Sequence, residues 1–120
     1  MSVELNINII PGKATDKDML YRKCFVFVLD IIQYTELLEK KGKYSVAIQL
    51  LKTGTALGVY MNELKNIDNQ SVLNKNIKKM NKEAQEIRYR LLLCKYSQTY
   101  PNPVSLIADI EELSELISKL

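Results

Sequence analysis

Four lysines, Lys75, Lys78, Lys79 and Lys82, fall at helical spacing in the middle of the chain, and Tyr89 and Tyr96 continue the same line. On one helix face, such a stripe offers ammonium groups to phosphates and phenol rings to bases, which is the chemistry of a nucleic-acid contact. Lysines in the first turns of a helix oppose its macrodipole, which favours a functional reason for their placement. Against that stand three facts. A run of charge on a helix is usually a solvated face, the formal net charge is only +3, and no base-reading motif is present.

A second group, Glu83, Glu86, Arg88 and Arg90, has the residue types of an acid/base cluster. Glu86 and Arg90 are four apart in the favourable order, however, so a surface ion pair or interface role fits them better. No nucleophile, metal-ligand set or phosphate loop accompanies them, so no enzyme, catalytic residue, cofactor or metal is expected. The chain has no histidine and no tryptophan. Its two cysteines, Cys24 and Cys94, are too few for a structural zinc site, and both fall on apolar helical seams where buried thiols are expected.

The elements that must carry these residues read as helices. At 120 residues with four glycines and three prolines, the chain is one domain with few breakers, able to bury a core without staples. The alternation of Val3, Leu5, Ile7 and Ile9 predicts an extended N-terminal arm over residues 1–14, closed by Pro11-Gly12. A bundle domain is expected over 15–120. Its first helix should start at Thr15 or Asp16 and end near Lys41, before Gly42. Its seam is Cys24, Val28, Ile31, Thr35 and Leu38, broadened by Phe25 and Ile32. The second should span about Lys43 to Asn66 with the seam Ala47, Leu50, Gly54, Leu57, Met61 and Leu64. Asp68 and Asn69 suit a turn and a cap for the third, which should reach about Thr99. Leu73, Ile77, Met80, Ala84, Ile87, Leu91 and Cys94 give it a strict four-three seam. Pro101 and Pro103 break the chain, and the fourth helix restarts near Pro103 with the seam Leu106, Ile110, Leu113, Ile117 and Leu120. The prediction is an all-α, antiparallel up-and-down four-helix bundle with an extended N-terminal arm.

Charge is unevenly spread along it. Residues 43–100 hold ten Lys and Arg against four Asp and Glu, whereas residues 101–120 hold one Lys against four acids. The middle of the chain is the part suited to anionic partners. No apolar run approaches membrane-spanning length and no signal-peptide pattern opens the sequence, so a cytoplasmic location without membrane contact is expected.

One stretch of the second helix departs from ordinary amphipathicity. Between Lys52 and Glu63 there is no charged side chain, and Gly54 and Gly58 lie one turn apart. Ile48, Ala56 and Val59 fall off the seam, where a solitary bundle would expose them. Each interior glycine costs about 1 kcal/mol against alanine. Either another subunit's backbone comes close there, or the glycines let helices of one subunit approach. Self-association is expected over Ile48, Gly54, Thr55, Ala56, Gly58, Val59 and Asn62.

The run QLLKTGTALGVYMNEL resembles the QLLRSGTSIGANIxEA signature of the four-helix bundle proteins encoded in 23S rRNA intervening sequences. NKEAQEIRYRLLL resembles that family's LKEAxETxYWLxLL, and the region of Lys23-Cys24-Phe25 its KSFxFA. Gly54, Thr55, Gly58, Glu63, Glu83, Ala84, Glu86 and Tyr89 fall on matching positions. Val59-Tyr60-Met61 stands where the family has Ala-Asn-Ile, Arg90 replaces its tryptophan, and its SxxDF element is missing. The resemblance covers about Met19 to Cys94 and implies a homopentamer. It also implies kinship with the accessory proteins of diversity-generating retroelements, basic bundles associated with nucleic acid, and hence RNA or DNA, or a partner such as a reverse transcriptase. The candidate nucleic-acid contacts are Lys75, Lys78, Lys79, Lys82 and Tyr89. The competing reading is a protein-interaction adaptor that never touches nucleic acid.

Overall fold

A computed structural model describes residues 16–120, with side chains from Lys17 onward. The expected arm, with its alternating segment and the Pro11-Gly12 turn, lies outside these residues. Those described form four helices, α1 (Asp16–Lys40), α2 (Tyr44–Glu63), α3 (Gln70–Lys95) and α4 (Val104–Ser118), with a 3-10 turn over Leu64–Asn66 and no strand.

Local chemistry sets the helix ends. Gly42 takes φ = 77°, the left-handed conformation that stops α1. The amide of Lys43 then bonds to the Leu38 carbonyl (2.8 Å) and that of Gly42 to the Glu39 carbonyl (2.9 Å), so the last carbonyls of α1 are satisfied by the turn itself. Asn69 opens α3: its side-chain oxygen accepts from the amides of Ser71 (2.9 Å) and Val72 (3.2 Å). Asn102 serves α4 similarly by accepting from the Val104 amide (3.0 Å). α3 stops at Lys95, four residues short of the expected Thr99. There the Ser97 amide bonds to the Cys94 carbonyl (3.2 Å) and its hydroxyl donates to the Leu93 carbonyl (2.7 Å), tightening the last turn. Tyr100, preceding a proline, is also barred from helical geometry.

In space α2 lies beside α1 and α3, and α4 beside α3 and α1, enclosing one core. Contacting residues run in opposite order along α1 and α2, along α2 and α3, and from α1 to α4 and the residues just before it. Ile31 meets Gly54 and Val28 meets Gly58. Gln49 meets Arg90, and the Tyr60 carbonyl meets Asn76. Lys23 meets Glu112, and Tyr34 donates to the Pro101 carbonyl (2.6 Å).

The expected seams supply most of the core, with corrections. On α1, Cys24, Ile31, Thr35 and Leu38 are buried, but the stripe broadens toward α4 through Phe27, Asp30 and Tyr34. Phe25 is 41% exposed and Ile32 only half-buried, because α2 covers the Val28 side and nothing among the described residues covers theirs. On α3, Met80 through Cys94 are buried as expected, whereas Leu73 and Ile77 are half-buried and Asn76 takes the inner place. The cause lies at the end of α2. The Leu64 amide bonds to the Met61 carbonyl, which leaves the Tyr60 carbonyl without its usual helical partner. The Asn76 side-chain nitrogen donates to it at 2.8 Å and so pins α3 to α2. Both cysteines are free thiols in the core, and burial pushes the Cys24 pKa up to about 12.

Gly54 is buried, and a Cβ placed on it would lie 2.9 Å from Ile31 Cγ2, a rigid branch of a fully buried side chain. At Gly58 the corresponding distance is 3.3 Å, to Val28 Cγ2 of a half-buried residue that has room to shift. The intrachain alternative therefore accounts for Gly54. An exposed helical Gly→Ala change should gain about 1 kcal/mol. Gly54→Ala should instead lose about 1–2 kcal/mol net through overpacking, and Gly58→Ala should match or exceed the wild type. Urea denaturation of both variants checks this; a Gly54→Ala protein as stable as wild type would overturn the close-approach argument.

Candidate nucleic-acid interface

An α-helix turns about 100° per residue, so the inward direction of α3 places the opposite face by simple geometry. With Met80, Ala84, Ile87, Leu91 and Cys94 inward, Lys78, Lys82, Tyr89 and Tyr96 fall in one outward line, flanked by Lys75 and Leu93. All four lysines are exposed, as are Tyr89 (63%) and Tyr96 (77%). Lys79 leaves the line: it turns toward α2, where its ammonium sits 5.7 Å from the centre of the Tyr60 ring. The five expected contact residues therefore share one side of the molecule, with Lys79 at its edge.

The other charges of α3 are drawn off to its flanks. Arg90 bonds to Gln49 of α2 (3.1 Å) and lies 3.6 Å from Glu86. Arg88 pairs with Glu111 of α4 (3.1 Å). Arg88 and Arg90 of the group read as an acid/base cluster are thus drawn to α4 and α2, and its exposed pairs carry little energy. Glu86 borders the outward line, about 20° from Lys75 and Leu93 around the helix, and its carboxylate lies beside Arg90. Four further acids lie on α4, where Asp109, Glu111, Glu112 and Glu115 face outward or sit half-buried. Burial and the nearby carboxylates of Asp30 and Glu112 raise the Asp109 pKa, with Lys23 acting against them. One side of the bundle is cationic and aromatic, and the adjoining side is anionic.

The expected self-association residues lie on α2. Ile48 (63% exposed), Val59 (55%), Thr55 and Asn62 face out; Ala56 and Gly58 are half-buried; Gly54 is buried under Ile31 and belongs to the chain's own packing. The Thr55 hydroxyl donates to the Leu51 carbonyl of its own helix (2.7 Å), so that side chain turns no free hydroxyl outward. Two exposed members escaped the sequence reading, Tyr44 (62%) and Leu51 (36%). Their spacing with Ile48, Thr55 and Val59 in steps of three and four was the signal available. Phe25, Leu29 and Ile32 of α1 extend this surface as the wall of an open groove of about 560 Å³ beside Thr55, Gly58 and Val59.

Among the described residues no group of three His, Cys, Asp or Glu is placed to hold a metal ion, and no helix is long and apolar enough to cross a membrane. Asn76 is the site-positioning residue that the sequence reading missed. It lies between Lys75 and Lys79 in sequence, and its hydrogen bond to Tyr60 sets how the lysine-bearing end of α3 meets α2.

The first turn of α3 holds no acid, so Asn69 is its side-chain N-cap. Asn69→Ala should cost about 1 kcal/mol. It should also speed amide exchange at Ser71 and Val72 relative to Ile87 and Leu91, checked by hydrogen exchange; unchanged protection would show that the cap does not hold this end. Compared with known proteins, no family model matches the chain, and no curated protein or solved structure matches it significantly.

Proposed function

We propose that this protein is a non-enzymatic, self-associating, antiparallel up-and-down four-helix bundle that binds nucleic-acid phosphates along the outer face of α3, as an accessory or structural module. The observation that carries the reading is the exposed line Lys75, Lys78, Lys82, with no acid on α3 before Glu83 and continued by Tyr89 and Tyr96. The opposite order of contacts along adjoining helices supports the antiparallel arrangement. The resemblance of α2 and α3 to the intervening-sequence proteins supports the same role, a cytoplasmic setting and a pentameric ring; the stoichiometry rests on that resemblance alone. A partner protein such as a reverse transcriptase fits this role.

Repetition answers the objection that +3 is a small charge for such a binder. A ring turns one weak lysine patch into a continuous basic belt, and several weak contacts to one polymer add as avidity. Binding of this kind is poorly sequence-selective and falls steeply with salt, because released counterions supply most of its free energy. Joint substitution of Lys75, Lys78, Lys79 and Lys82 by glutamate should lower affinity for RNA at low salt by about a hundredfold or more. Helicity and oligomer size should not change, since these side chains lie outside the core. Titration of wild type and variant side by side decides: equal binding reduces the stripe to a solvated face.

The adaptor reading has its own observation, the exposed apolar side chains of α1 and α2. Uncovered patches of this kind mark association surfaces. Self-association is the use proposed here. Val59→Glu or Ile48→Glu should shift sedimentation toward the monomer while leaving the helical content intact. A wild-type protein that sediments as a monomer at micromolar concentration would exclude the ring and leave this face to a different protein.

A further inference from the structure

We infer that the nucleic acid taken by the α3 face is single-stranded, held by stacking of its bases on Tyr89 and Tyr96; this rests on the phosphate-binding reading above. Tyr89 and Tyr96 are among the most exposed large side chains of the chain, and neither ring stacks on another aromatic ring among the described residues. Leu93 lies between them on the same side at 47% exposure, so the distal half of the face is apolar and flat. Lys95 places its ammonium 5.3 Å from the centre of the Tyr96 ring, which keeps a cation beside the stacking surface. The proximal half is cationic, through Lys75, Lys78 and Lys82.

These two halves make one continuous track. Seven residues separate the tyrosines, about 10 Å along the helix axis, and Lys75 to Tyr96 covers about 32 Å. At about 3.4 Å per nucleotide, that length accommodates roughly nine stacked nucleotides, within the range of site sizes seen for single-strand binders. The chemistry distinguishes strand forms. Lysines neutralise the phosphates of duplex and single strand alike. Exposed rings gain only where base faces are free, and in a duplex those faces are already stacked on one another. A surface that needed only phosphate would be served by lysines throughout. Here the outward line changes from ammonium groups to phenol rings, and Glu86 at its border lies beside Arg90.

The absence of tryptophan makes the test direct, because the intrinsic fluorescence of the chain comes from tyrosine. The probes are an unstructured 12-nucleotide oligo-dU and a 12-base-pair DNA duplex, titrated at low salt by anisotropy with tyrosine emission followed in parallel. Wild type should prefer oligo-dU, with quenching on binding. Tyr89→Ala/Tyr96→Ala should lose about five- to a hundredfold per ring for oligo-dU. It should also lose the quenching and lose far less affinity for the duplex than for oligo-dU. Tyr89→Phe/Tyr96→Phe should retain the single-strand preference, which separates stacking from any hydroxyl contact. Circular dichroism should be the same for all three proteins. Equal binding of the two probes by wild type, or an alanine variant within twofold of wild type on oligo-dU, overturns the single-strand inference while the lysine-based reading stands. Binding of neither probe overturns both and assigns the Tyr89–Leu93–Tyr96 surface to a protein partner.

Discussion

α2 can lie as close to α1 as it does because Gly54 has no Cβ to meet Ile31. That approach fixes the rotation of α2 about its own axis, and much else follows. With Gly54 and Gly58 turned to α1, Gln49 and the Tyr60 carbonyl are carried to the α3 side, where Arg90 and Asn76 bond to them. Ile48, Thr55 and Val59 are left outside. A larger residue at position 54 would roll α2 or push it away, and both polar links to α3 would lose their geometry. A packing contact in the middle of one helix pair thus orients the helix that carries the lysines.

The polar links are few and placed at the ends of the bundle, where packing alone is weakest. Asn76 satisfies a carbonyl that the tightened end of α2 leaves open, and Tyr34 reaches from α1 to the Pro101 carbonyl between α3 and α4. An unsatisfied buried amide or carbonyl costs about 1–3 kcal/mol, so each link selects one register of its helices as well as adding stability. Burial raises the pKa of the Tyr34 hydroxyl, which keeps it protonated and able to donate this bond. Exposed ion pairs such as Lys23–Glu112 and Arg88–Glu111 add little to either effect.

Periodicity made the four helices and most of the core legible in the sequence, because a seam stepping by three and four has one interpretation over several turns. The stops at Gly42 and the cap at Asn69 were legible for the same kind of reason, since both are local. What failed depended on which neighbour lay where. Phe25 and Phe27 are equally apolar, and only the position of α4 decides that Phe27 is buried and Phe25 exposed. Asn76 reads as a polar interruption until the loose carbonyl of Tyr60 gives it a partner. Lys79 reads as one of four equivalent lysines until the Tyr60 ring draws it to the edge. The α3 face itself was legible as a stripe. The partners of Arg88 and Arg90 were not, because Glu111 of α4 and Gln49 of α2 reach them only once the helices pack.

The placement of charge carries a cost that the fold alone does not explain. Lys75, Lys78, Lys79 and Lys82 form like-charge neighbours three and four residues apart on one helix. Each such pair destabilises a helix by about 0.2–0.5 kcal/mol. Glu83 and Glu86 stand four residues after Lys79 and Lys82, but Glu86 lies 3.6 Å from Arg90, and no acid falls among the four lysines themselves. A surface shaped only by solubility would intersperse the two signs and lower this repulsion. Here the outer faces of the bundle differ: α1 and α2 expose a patch of apolar side chains, α3 is cationic and aromatic, and α4 is anionic. An anionic polymer offsets the repulsion on α3 and is repelled by α4, so the segregation that weakens the isolated helix is what would orient such a ligand along it.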